Sequence, residues 1–327
     1  MEYSILSSAS HGSINLVPGS PKSFSEMILS NTTPAYAEGS YGKLMYQEIE
    51  ISPYSIHYNV YEIQNRFLLH VERKVPGLML YVILKSDIRF NLRNFGEVTM
   101  KQGQFNIAYL PDLDCTAFFD KEGEYQNFKI YFPLSVLHEY EKAFPYVSEF
   151  LSKAIGSQPV FLFEESGWVN SKILYVINQF LQFNHDEQIR KLYFEGLIKE
   201  LLPLLLLQKN QNASDYNLYM TNLYEARSII EKNISRPLYV SEIAEQVGMN
   251  ETKFKSGFKQ VFGIGVFQFM LEAKMQKAWV WVLETDKPVK EIAQLTGYAT
   301  LQNFLTAFKR YFNTTPGSLR KRYKSFS

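Results

Sequence analysis

Val240 to Gly263 reads VSEIAEQVGMNETKFKSGFKQVFG, and Val289 to Asn313 reads VKEIAQLTGYATLQNFLTAFKRYFN. One pattern is written twice in the last third of a 327-residue chain. The matching positions are Val240/Val289, Glu242/Glu291, Ile243/Ile292, Ala244/Ala293, Gly248/Gly297, Phe258/Phe308, Lys259/Lys309 and Phe262/Phe312, with one extra residue after the glycine in the second copy. A repeat of this kind points to a duplicated structural unit.

Each copy has the grammar of a helix-turn-helix. Ile243, Ala244 and Val247, and likewise Ile292, Ala293 and Leu295, give a short helix an apolar side, with alanine where a second helix must cross closely. Gly248 and Gly297 stand where the chain must turn through the left-handed conformation that glycine adopts without steric cost. Asn250 and Thr300 are placed to cap the next helix. Phe254, Phe258 and Phe262, and then Phe304, Phe308 and Phe312, recur every fourth residue, so each second helix buries one face. The opposite faces carry Thr252, Lys253, Lys255, Ser256 and Lys259 in one copy, and Leu301, Gln302, Asn303, Leu305, Thr306 and Lys309 in the other. Between them Val266 to Leu283 (VFQFMLEAKMQKAWVWVL) has no proline or glycine and predicts one stiff helix. At 1.5 Å per residue it separates its ends by about 27 to 30 Å. Successive major grooves on one side of B-DNA are about 34 Å apart.

The stretch KPVKEIAQLTGYATLQNFLTAFKRYFNTTPGSLRK, Lys287 to Lys321, with its closing Thr315-Pro316, resembles the C-terminal signature of AraC/XylS-type transcription regulators. GMNETKFKSGFKQVFG in the first copy is similar to the branch that includes siderophore-uptake regulators of the pyochelin type. The resemblance spans about Leu218 to Tyr323 and implies sequence-specific binding to a double-stranded operator. It places base reading at Thr252, Lys255 and Ser256, and at Gln302, Asn303 and Thr306, with Thr300 at the entry to the second reading helix. Gln302 can bond bidentately to adenine, Lys255 can donate to guanine, and Leu301 or the Thr306 methyl can touch thymine. Lys253, Lys259, Lys309 and Arg310 are placed for phosphates. Many relatives have arginine where Ser256 and Thr306 stand, so the operator is expected to hold fewer strict guanines there. The resemblance further implies a homodimer, a small-molecule inducer, for which the siderophore branch suggests an iron chelate, and contact with RNA polymerase if the protein is an activator.

Composition agrees with a nucleic-acid partner. From Leu218 onward 16 Lys and Arg face 9 Asp and Glu, against 18 and 24 in residues 1 to 217. A basic C-terminal third on a mildly acidic body suits phosphate neutralisation without indiscriminate adhesion. Cys115 is the single cysteine, which excludes an intrachain disulfide, a cysteine zinc site and a CxxC redox pair. The N-terminus lacks the basic and apolar regions of a signal peptide. Leu201 to Leu207 is interrupted by Pro203 and falls well short of the roughly 20 residues a membrane span needs, so a cytoplasmic protein with no membrane contact is expected. There is no phosphate loop, no GxSxG and no ligand-spaced His, Cys and carboxylate cluster, so neither an enzyme nor a cofactor or metal site is expected.

Residues 1 to 40, rich in Ser, Gly, Pro, Asn and Thr, read as a flexible or loosely docked arm. From Leu44 to Leu134 roughly eight β-like runs punctuated by Pro76-Gly77, Gly96, Gly103 and Gly123 argue for a small barrel or jelly roll, similar to the cupin-like sensor domain of the family. The fold class is therefore α+β: a cupin-like barrel over residues 41–163 and a helical segment over 164–210 with a surplus apolar stripe that suits dimerisation. A linker follows at 211–217, then an all-α domain over 218–327 with two helix-turn-helix units. The five histidines, His11, His57, His70, His138 and His185, include no HxH pair and read as single surface or core residues. Alternation puts Phe105, Ile107 and Tyr109 on one strand face, and Phe128, Ile130 and Phe132 on another. Most are core, while Phe105, Tyr109, Phe128 and Phe132 are the candidates for lining a small-ligand pocket. The alternative is a small-molecule or protein-interaction module whose DNA binding is vestigial.

Overall fold

A computed structural model of the chain describes residues 4–7, 14–74, 76–184, 186–211, 214–236 and 238–324. His11 and His185 lie outside them. The chain divides into two compact units, Met1–Ala213 and Ser214–Ser327.

The first unit is built on β1 (Ser4–Ser7), β2 (Val17–Pro18), β3 (Ala35–Gly39), β4 (Gly42–Ile51), β5 (Tyr54–Ile63), β6 (Phe67–Arg73), β7 (Gly77–Lys85), β8 (Ile88–Leu92), β9 (Gly96–Met100), β10 (Gln104–Leu110), β11 (Leu113–Phe119), β12 (Gly123–Phe132), β13 (Val160–Phe161) and β14 (Gly167–Trp168). They form two antiparallel sheets. The larger runs β13-β10-β7-β12-β5-β4-β3-β2 with β14 also on β10; the smaller runs β1-β6-β11-β8-β9. Four helices follow the main strands: α1 (Ser135–His138), α2 (Pro145–Ile155), α3 (Ser171–Leu181) and α4 (Glu187–Leu206).

The period-two alternation of the central strands makes three layers, because successive side chains point to opposite faces. Leu78, Leu80 and Val82 of β7, Phe105, Ile107 and Tyr109 of β10, and Phe128, Ile130 and Phe132 of β12 join one core with Phe150, Val176, Phe180, Phe194 and Ile198 of the helices. The intervening residues, among them Tyr61, Ile83 and Tyr125, face the smaller sheet and pack on Phe67, Leu69, Ile88 and Phe119. The strands do not close into the expected barrel. The free side of β10 is taken by β13 and β14, so the two sheets stay separate.

Two further expectations are corrected. The described part of residues 1 to 40 is docked: β2 and β3 extend the larger sheet, and Phe24 and Leu29 are buried. Buried Gln47 accepts from the Leu29 N–H at 2.7 Å and donates to the Met27 carbonyl at 2.9 Å, which secures a segment with few apolar residues. The helix expected to open the second unit at Leu218 begins four residues earlier, as α5 (Ser214–Lys232), so much of the expected linker is helical.

In α4 the apolar surplus is mostly absorbed internally: Phe194, Leu197, Ile198, Leu201, Leu202, Leu205 and Leu206 are buried, while Ile189 and Leu192 stay exposed, with Tyr175 of α3. Among the described residues no helix is long and apolar enough to cross a membrane.

The second unit is all helix: α5, then α6 (Val240–Gln246), α7 (Glu251–Phe262), α8 (Val266–Glu284), α9 (Val289–Leu295), α10 (Leu301–Phe312) and α11 (Pro316–Lys324). α6 with α7, and α9 with α10, are the two copies of the repeat. α8 joins them and, at 19 residues, is about 28 Å long.

Candidate nucleic-acid interface

Local chemistry sets both turns in the same way. Gly248 and Gly297 have φ of 68° and 74°, and the following N–H groups of Met249 and Tyr298 reach back to the Ala244 and Ala293 carbonyls at 2.8 and 2.9 Å. The Asn250 side chain accepts from the Lys253 N–H at 2.8 Å, and the Thr300 hydroxyl from the Asn303 N–H at 3.2 Å, so α7 and α10 both start on a side-chain cap. They end alike too, on left-handed Gly263 and Asn313. Thr315 caps α11, its hydroxyl accepting from the Ser318 N–H at 3.2 Å, and Arg320 Nε donates to the Val282 carbonyl at 3.0 Å, tying α11 to the end of α8.

Below the outer faces of α7 and α10 the phenylalanines stack. Phe254 and Phe258, with ring centroids 5.6 Å apart, continue to Phe262 at 4.4 Å. Phe304, Phe308 and Phe312 follow at 5.6 and 4.7 Å. All are buried except Phe312, which is half-buried against Trp279 at 4.5 Å. The expected third core residue of α9 needs correction. Leu295 is half-buried, and the position four residues after Ile292 belongs to Thr296, which is fully buried because its hydroxyl donates to the Ile292 and Ala293 carbonyls.

Every residue expected to meet DNA is exposed: Thr252, Lys253, Lys255, Ser256 and Lys259 on α7, Thr300 before α10, and Leu301, Gln302, Asn303, Thr306, Lys309 and Arg310 on it. Some are engaged within the protein. Lys255 pairs with Glu251 one turn earlier, and Lys253 lies over the Tyr219 ring at 5.5 Å. Ser256 donates to the Lys253 carbonyl at 3.1 Å and Thr306 to the Gln302 carbonyl at 2.9 Å, so both hydroxyls bond to their own helix. Phe267, at the start of α8, is not singled out by the repeat. It is 68% exposed and its ring centroid lies 5.9 Å from the Lys255 ammonium, and only its place beside α7 could have flagged it.

The first unit holds a cavity of about 90 Å³ between its sheets. Tyr61, Leu69, Val71, Met79, Tyr81, Ile88, Phe90, Val98, Asn106, Cys115, Lys129 and Tyr131 are among its lining residues. Phe105, Tyr109, Phe128 and Phe132, the expected pocket residues, are absent from it. They occupy the opposite face of the same strands, where Phe105 meets Phe163 at 5.6 Å and Phe128 meets Phe180 at 5.5 Å. Strand alternation identifies the two faces, but which one meets helices and which meets a second sheet depends on long-range pairing.

Strand pairing also gathers His70, Glu72 and Asp114, whose ligand atoms all lie within 4.8 Å of one another. The histidine contacts Glu72 at 3.1 Å and Thr116 at 3.1 Å, and Arg93 pairs with Asp114, so the protein itself satisfies the cluster. His57 is a core histidine beside Ser55 at 2.7 Å, and burial pushes its pKa down to about 3. His138 lies at the surface against Glu141.

Comparison with known proteins meets the chain at the repeat. Residues 243–322 match the model of a helix-turn-helix domain family. Over 97 residues the chain is 33% identical to the HTH-type transcriptional regulator YtdP of Bacillus subtilis, covering 30% of this chain and 13% of that protein. Over 140 residues it is 27% identical to the xylose operon regulatory protein of Escherichia coli, covering 41% and 36%. The C-terminal domain of AraT, a response regulator from Geobacillus stearothermophilus, is similar at 30% identity over 31% of this chain and 84% of that one, with a TM-score of 0.30. The chain thus spans little more than a third, or less, of these curated relatives' length. Over residues 243–322, then, the chain carries an AraC-type helix-turn-helix domain.

Proposed function

We propose that the protein binds duplex DNA through both helix-turn-helix units of one chain and thereby regulates transcription in response to a small molecule held between the sheets of its first unit. The observation that carries the reading is the pair of twelve-residue helices α7 and α10, each capped, each set on a phenylalanine stack, and each presenting exposed side chains on its outer face, except that Leu305 of α10, expected there, is half-buried against the core. Gln302 and Asn303 on α10 make no hydrogen bond to another side chain through their own side chains among the described residues, so their donors and acceptors stand ready for base edges. Lys259, Lys309 and Arg310 form no ion pair among the described residues and suit phosphates. Exposed Tyr175, Ile189 and Leu192 on neighbouring helices are the surface on which two copies would pair.

The test is selection of bound sequences from random duplexes by the full chain. The expected result is an enriched motif with two blocks about one helical turn apart, bound with a steep negative dependence of log K on log salt. Sequence-indifferent binding, or none, would leave the reading without support.

A further inference from the structure

The cavity between the sheets contains a cation that the protein does not neutralise. Lys129 projects into it from β12, and no carboxylate lines it among the described residues. The lysine ammonium has no ion pair among them; it lies over the face of the Tyr81 ring at 5.0 Å. A second cation, Arg73, is 4% exposed and stacks on cavity-lining Tyr131 at 4.7 Å, with no hydrogen-bond partner for its Nε or Nη2. Burial pushes the Lys129 pKa down to about 8, which still leaves it mostly charged at neutral pH.

A buried ammonium without a counter-charge costs several kcal/mol, and proteins keep such groups where something else supplies the charge. The Asn106 amide of the wall cannot do so. Asn106 donates to the Phe163 carbonyl at 2.9 Å and accepts from the Ile107 and Phe163 N–H groups. Tyr61, Tyr81, Tyr131 and Cys115 bring hydroxyls and a thiol but no carboxylate, and Leu69, Ile88, Phe90, Val98 and Met100 line the far side. A volume of about 90 Å³ limits the occupant to a small organic molecule. A dianionic phosphate ester would strip its oxygens of water against hydrocarbon, whereas a planar monoanion with an apolar body matches one lysine and a greasy wall.

We infer that this cavity takes a small monocarboxylic acid, its carboxylate paired with Lys129 and its hydrocarbon body among Leu69, Ile88, Phe90 and Val98. The inference rests on the effector reading proposed above and gives that effector a chemical class.

The test uses the full chain at neutral pH, with benzoate, phenylacetate, butyrate and hexanoate each set against its primary amide, read by calorimetry and by the shift in Tm. At least one acid is expected to bind and its amide to bind at least about tenfold more weakly. Lys129→Met is expected to abolish acid binding while raising the Tm of the ligand-free protein, because an unpaired buried charge has gone. Cys115→Ser alters the same wall without touching the charge and is expected to keep acid binding. Equal binding of acid and amide, acid binding that survives Lys129→Met, or no acid binding at all overturns the inference. Amides that bind and change DNA affinity would leave the effector reading standing without its acid. Silence from acids and amides alike would count against both.

Discussion

The two helix-turn-helix units share a scaffold and differ in what covers it. The first is roofed by α5: Tyr224 meets Phe262 edge-on at 5.0 Å, and Gly257 leaves room for Tyr219, whose hydroxyl oxygen would fall 2.1 Å from a Cβ placed there. The second carries Ala307 at the matching place and takes its cover from Trp279 of α8, 6.4 Å from Phe308, and from α11. Their outer faces differ as well. α7 presents Lys253, Lys255 and Lys259, whereas the first turns of α10 present Leu301, Gln302, Asn303 and Thr306 and keep their cations, Lys309 and Arg310, for the last turn. The duplicated scaffold thus carries one charged outer face and one that is neutral over its first turns.

The phenylalanine stacks should break alike if the scaffold is truly shared. Phe258→Ala and Phe308→Ala, each removing a fully buried ring, are expected to cost about 3–5 kcal/mol in urea unfolding. A loss confined to one of them would mean that only one unit is a cooperative part of the fold.

The turn glycines should separate the units. Gly248 has open space around its Cα, so Gly248→Ala meets only the left-handed penalty of about 1–2 kcal/mol. Gly297 is left-handed and also faces the backbone carbonyl oxygens of Ile234 and Ser235, each 3.1 Å from where an alanine methyl carbon would sit. Gly297→Ala is therefore expected to cost more, about 2–4 kcal/mol with crowding added. Equal thermal shifts for the two variants would remove that distinction.

Binding measurements should sharpen the division of the outer faces. Gln302→Ala is expected to cost about 1–3 kcal/mol at one base pair of the selected motif and to relax preference there. Lys259→Ala should weaken all sequences alike and reduce the salt slope by about one. Caps come last: Asn250→Ala and Thr300→Ala should each cost about 1 kcal/mol of stability, with Asn250, at the shorter hydrogen bond, the larger of the two.

The legible parts of this chain are those written locally. The turn glycines, the caps Asn250 and Thr300 and the four-residue spacing of Phe254 to Phe262 each act within one or two helical turns, so the repeat is readable without coordinates. Thr296 escapes such a reading because a threonine becomes a core residue only by donating to its own helix backbone, which hydropathy does not register. The docking of residues 14 to 40 escapes it because Gln47, some twenty positions away, satisfies that segment's backbone. The strand face that lines the cavity is hidden for a related reason, since the partner of each face is fixed by distant pairing. Its one local signal is the lysine between Phe128 and Ile130: a charge in the middle of an alternating apolar strand marks a side that is not ordinary core.

The claim that both units of one chain engage one duplex is tested most directly by hydroxyl-radical footprinting of the full chain on its selected motif. The account predicts two protected patches on one side of the DNA, about one helical turn apart, with Gln302→Ala weakening one patch and Lys255→Ala the other. A single patch, or two on opposite sides of the helix, would contradict it.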